Sequence, residues 1–176
     1  MDIEMEIATS SRIDTDLQRS AINWLREAKV NAFITYSFRK EVSFTAAEKI
    51  FGTYAYGLKS AFFGRNSTKR FPMVPIVEKY HQGDSYAALL TPEEGIHIHC
   101  FMQLPDYPCN HKETIRELWT KSDQRCGDPA VYCPKDDGWF VEIKTSDDQD
   151  RLINYALKTC QQNTDAVLWK FVSFGR

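Results

Sequence analysis

The 176 residues are 43% hydrophobic and 26% charged, an ordinary globular composition that suits one domain spanning residues 1–176, with residues 1–30 as a helical extension within it. No apolar run is long enough to span a bilayer and the acidic start "MDIEMEIATS" carries no signal-peptide pattern, so an intracellular protein with no membrane partner is expected. The formal net charge of −2 argues against a protein that coats nucleic acid by bulk charge.

The charge is unevenly spread. Residues 26–80 hold ten basic and four acidic side chains, net +6, whereas residues 81–176 are net −5; the basic third fits either phosphate contacts or a solvated surface. The five cysteines, an odd and scattered set, argue against a disulfide framework. Cys109, His111, Cys126 and Cys133 offer four zinc-type ligands at a spacing of no standard finger, so free thiols are the competing expectation.

In chain order, "TDLQRSAINWLREAKV" has the helical period from about Asp16 to Lys29, and "NAFITYSF" is a strand. A helix capped by Ser43 or by Thr45 with Glu48 runs to Gly64, followed by the basic loop "GRNSTKRF". "MVPIVEKY" is a strand with Pro75 near its start, and "SYAALLTP" a short strand or an insertion. "GIHIHCFMQLP" is a strand, after which Asn110 caps a helix with Ile115, Leu118 and Trp119 inward. An irregular Gly, Pro and Cys segment leads to the strand "WFVEIKT", the acid-led helix "DDQDRLINYALKTCQQ" and a last strand, "AVLWKFVSF". This intermixed order predicts an α+β fold with helices packed on an antiparallel sheet of about five strands.

Two features stand out chemically. Side chains alternate along a strand, so His97 and His99 project from one face. Such a pair can close on one divalent ion or simply cover a sheet face. In the helix after Thr145, Leu152, Ile153, Ala156, Leu157 and Cys160 form the apolar stripe, while Tyr155 falls outside it beside Arg151, Lys158 and Gln162. Tyr155 and Lys158, three apart, share a face within reach of one ligand.

The chain resembles the HUH endonucleases, the nicking and joining enzymes that initiate rolling-circle replication, and among them the single-tyrosine replication initiators. "HIHCFMQL" matches the histidine motif, "YALK" the Tyr-x-x-Lys motif, "FITYSF" the first motif, and "VEKYHQG" the segment that supplies a carboxylate before a turn glycine. These cover most of Asn31 to Lys158 in the family's order.

The resemblance implies a ferredoxin- or RRM-like sheet and a metal site of Glu78, His97 and His99, with His81 the rival to Glu78. It implies Mn2+ or Mg2+ as cofactor, Tyr155 as nucleophile and Lys158 as its phosphate-holding partner. The substrate it implies is single-stranded DNA, often at an origin hairpin, in a bacterial cytoplasm or, for a eukaryotic virus, a nucleus. Arg39, Lys40, Arg65, Lys69 and Arg70 are placed to follow the DNA backbone, and Phe63 and Phe71 either stack bases or fill the core. No Gly-x-x-x-x-Gly-Lys-Ser/Thr phosphate loop is present, so a host or fused helicase is an expected partner. A single-tyrosine transposase, a noncatalytic DNA-binding regulator and a zinc-stabilised interaction module are the alternatives.

Overall fold

The structure, a computed structural model, describes residues 19–78, 95–123, 129–157 and 166–173. His81, "SYAALLTP", Cys126, Lys158, Cys160 and Gln162 therefore lie outside the described residues.

Among the described residues five strands form one antiparallel sheet: β1 (Ala32–Phe38), β2 (Met73–Glu78), β3 (His97–Met102), β4 (Val131–Tyr132) and β5 (Phe140–Glu142). The order is β2-β3-β1, and the far edge of β1 is shared, β5 pairing with Ala32 to Ile34 and β4 with Ser37 and Phe38. The fold is α+β, with helices on both faces of the sheet.

Alternation along the central strands divides the interior in two. Ala32, Ile34, Tyr36 and Phe38 of β1, with Ile98, Cys100 and Met102 of β3, face α2 (Phe44–Phe63) and α3 (Lys112–Thr120). Phe33 and Phe101, with Val74 and Ile76 of β2, face α1 (residues 19–27) and α4 (Ser146–Ala156). His97, His99 and Glu78 belong by register to this second face, because Glu78 pairs with His97, and His99 with both Ile76 and Thr35.

Local chemistry explains the helix ends. Ser43 Oγ accepts from Ala46 N at 3.2 Å, so Ser43 rather than Thr45 is the cap of α2, and Glu48 pairs instead with Lys170 at 2.8 Å. Gly64 ends α2 at φ 85°, a left-handed backbone that a glycine adopts without a Cβ clash. Asn110 does not cap α3: Pro108 opens a 3-10 turn, Pro108–His111, that draws Asn110 N onto the Tyr107 carbonyl. The helix proper then starts at Lys112, after His111.

The expected last strand is also replaced. Residues 166–173 touch β2 through two isolated bridges, Ile76 with Val167 and Met73 with Ser173, and a 3-10 turn at Trp169–Phe171 separates them. Pro75 lies between those bridges and has no N–H to extend a ladder, though its carbonyl accepts from Leu168 N at 3.0 Å. Among the described residues no helix is long and apolar enough to cross a membrane.

Candidate active site

The site is assembled on the α1/α4 face by β2, β3 and β1. Glu78 closes β2 and is 1% exposed. A buried carboxylate needs a donor or a cation, and His99 supplies the donor: its Nε2 lies 2.7 Å from Glu78 Oε2. The contact is diagonal across the strand pair, reaching from Glu78 past its direct partner His97. His97 and His99 are buried as well.

Three neighbours hold the ring of His99. Thr35 Oγ1 is 3.1 Å from Nδ1, Phe33 is stacked on the ring at 5.3 Å and 18°, and Tyr155 meets it edge-on at 5.2 Å and 65°. Thr35 and Phe33 come from "FITYSF" and had no role in the sequence reading beyond membership of that motif. Two residues apart on one strand, they share a face, but only the β1–β3 register says that they meet His99.

Tyr155 sits in the last turn of α4 and is 46% exposed. It lies off the apolar stripe, as its helical angle requires, yet its ring packs against Phe33 and His99. The placement depends on the start of α4. Thr145 Oγ1 accepts from Asp148 N at 3.1 Å and the Asp148 carboxylate accepts from Thr145 N at 3.2 Å, a capping box. This hydrogen bonding, Thr145 first, holds the Asp148 carboxyl below its ordinary pKa. Gln149 Nε2 donates to the Leu25 and Ala28 carbonyls at 2.7 and 3.2 Å, tying α4 to the end of α1. Leu152, Ile153 and Ala156 are buried beneath it.

Glu78, His97 and His99 offer one carboxylate and two imidazoles, donor types that suit a divalent cation. Nδ1 of His99 on the Thr35 hydroxyl matches the way a ligating imidazole is held by its other nitrogen. Among the described residues no three His, Cys, Asp or Glu side chains are arranged to hold a metal as they stand; Glu78 and His99 are instead closed on each other. A cation there would take the place of that hydrogen bond.

The basic residues divide by location. Arg39 and Lys40 follow β1 at the end of the sheet where Glu78 and His97 lie, and both are exposed; Arg39 Nε donates to the Val131 carbonyl at 3.3 Å. Arg65, Lys69 and Arg70, also exposed, precede Met73, which pairs with Met102 at the opposite end, roughly 17 Å from Glu78 along β2. The structure does not bring that loop to the site. Phe71 is buried in the core against Phe62, and Phe63 is partly exposed beneath Lys69.

Among the described zinc-type ligands, His111 and Cys109 make separate contacts. His111 Nε2 meets the Pro105 carbonyl at 2.9 Å, and the Cys109 thiol points to Glu142 at 3.6 Å. Burial pushes the Cys133 thiol above its ordinary pKa. Cys100, Cys109 and Cys133 are free.

No family model, curated protein or solved structure matches this chain.

Proposed function

We propose that the protein is a metal-dependent, site-specific single-stranded DNA endonuclease and strand transferase of the replication-initiator kind. One observation carries this: Tyr155, half-exposed at the end of α4, packs on His99, and His99 bonds Glu78. The three residues come from distant parts of the chain, and the resemblance of their motifs assigns them to one centre.

Two non-bridging oxygens sharing one negative charge guard a phosphodiester against a phenolate. Held by Glu78, His97 and His99, a Mn2+ or Mg2+ ion would supply the positive charge that offsets those oxygens as the pentacoordinate state forms. Tyr155 Oη, having lost its proton, attacks phosphorus; an O–P bond forms to the tyrosine and the P–O3′ bond breaks. The departing 3′ oxygen takes up a proton, leaving a 5′-phosphotyrosine. Another 3′-hydroxyl reverses the step and rejoins the strand, with the ester energy retained and no ATP consumed. Phe33 and Thr35 keep His99 fixed beneath the tyrosine, Lys158 follows in sequence to hold the phosphate, and Arg39 and Lys40 receive the backbone at that end of the sheet.

A second reading, a noncatalytic DNA-binding module, is favoured by the hydrogen bond that joins Glu78 Oε2 to His99 Nε2 without a metal. Incubation with labelled single-stranded DNA libraries and manganese separates the two. Cleavage with a denaturation-resistant adduct, both abolished by chelation, is the expected result. Retained DNA binding with neither cleavage nor adduct would favour the module.

A further inference from the structure

We infer that Thr35 is the positioning residue that lets His99 exchange its partner Glu78 for a divalent cation, an inference that rests on the function proposed above. Thr35 lies directly opposite His99 in the β1–β3 register and its Oγ1 is 3.1 Å from Nδ1. The other ring nitrogen, Nε2, faces Glu78 Oε2 at 2.7 Å. Beside an ionised carboxylate, which only accepts hydrogen bonds, Nε2 carries a ring hydrogen, and in a neutral ring the Thr35 hydroxyl then donates to Nδ1.

A cation on Nε2 needs the lone pair there. The hydrogen must then sit on Nδ1, and the Thr35 oxygen must accept it. In a neutral ring the exchange moves one hydrogen, which leaves Nε2 as another arrives at Nδ1. A hydroxyl serves both states because it donates or accepts by rotating, whereas a carbonyl or carboxylate opposite Nδ1 would hold only the second state. Threonine adds the β-branch that suits a strand. The stacked Phe33 ring prevents His99 from turning away while the exchange occurs.

Manganese affinity of the full chain, measured by calorimetry or by the electron-paramagnetic signal of free Mn2+, tests this with Thr35→Val, Thr35→Ser and His99→Ala. Valine fills the same space without a hydroxyl, and it should weaken binding about tenfold or more, while serine should stay within about threefold of the natural protein. Long-range proton–nitrogen NMR supplies a readout that a merely structural role would not move. His99 should carry its hydrogen on Nε2 without metal and on Nδ1 with the diamagnetic Mg2+.

Valine binding Mn2+ as tightly as threonine, with His99→Ala still defective, would overturn the role of Thr35 and leave the metal site standing. No Mn2+ binding by the natural protein would overturn the metal site and the Thr35 role with it. Should Thr35→Val fail to fold, as judged by circular dichroism, the serine variant and the His99 tautomer in the natural protein decide: a tautomer unmoved by saturating Mg2+ overturns the inference.

Discussion

The two faces of one sheet hold tyrosines in opposite conditions. Tyr36 and Tyr54, on the α2/α3 face, are 1% exposed, hydrogen-bonded hydroxyl to hydroxyl and walled in by Phe51 and Trp119. Burial drives both phenols well above their ordinary pKa. Across the sheet, Tyr155 stands 46% exposed at a helix end, against a histidine that bonds a buried carboxylate. Proximity to a sheet is thus no measure of a tyrosine's chemistry. Burial makes the first pair a structural element, whereas solvent access and the His99 neighbour leave Tyr155 open to the role proposed for it.

The largest expected effect separates these sites. Tyr155→Phe keeps the ring contacts with Phe33 and His99 but removes the hydroxyl of the proposed nucleophile; adduct formation should fall by at least roughly 10³-fold. Its unfolding free energy should stay within about 0.5 kcal/mol of the natural protein in urea titrations. Trp119→Ala does the reverse on the opposite face. It empties a 1% exposed site and removes the indole donor to the Tyr132 carbonyl, so chemical unfolding should show a loss of about 3–5 kcal/mol.

Tyr54→Phe is smaller, about 1–3 kcal/mol, because it strips the Tyr36 hydroxyl of its tyrosine partner and leaves it the Met102 sulfur at 3.5 Å. Full adduct formation by that variant would sharpen the contrast; lost adduct formation in a folded Tyr54→Phe would break it. The same pair sets an alkaline limit. Both phenols have raised folded pKa values, so their contribution is fully present below the ordinary phenol value near 10 and is lost as pH climbs from there through the folded values. Thermal unfolding from pH 8 to 11 should show this loss, reduced in Tyr54→Phe.

The smallest effect concerns the start of α4. The Asp148 carboxyl is lowered in the folded state, so its contribution is present above the ordinary value near 3.9 and is lost as pH falls through the lowered one. Asp148→Asn should flatten the acid limb of stability below about pH 4, followed by circular dichroism.

Much of this arrangement was legible in the sequence because strong periods leave marks. The two-residue alternation of His97 and His99 and the misfit of Tyr155 with its apolar stripe are properties of a few adjacent residues. Long-range register is not. That Thr35 faces His99, that Glu78 reaches His99 diagonally, and that Arg65, Lys69 and Arg70 end up at the far end of the sheet all depend on how β2, β3 and β1 are paired. Glu78 is reached in the sequence through the resemblance of "VEKYHQG", whereas its burial and its bond to His99 come from the strand pairing. The misjudged ends have the same character in miniature: Pro108 and Pro75 redirect hydrogen bonds locally, and each displaced an element the hydrophobic pattern alone would have drawn.

Mass mapping of the covalent product tests the central claim most directly. After reaction with single-stranded DNA and manganese, nuclease trimming and proteolysis, the peptide containing Tyr155 should carry a nucleotide through a phosphotyrosine bond, and the Tyr155→Phe protein should yield none. An adduct on another residue, or undiminished adduct formation by Tyr155→Phe, would contradict the account.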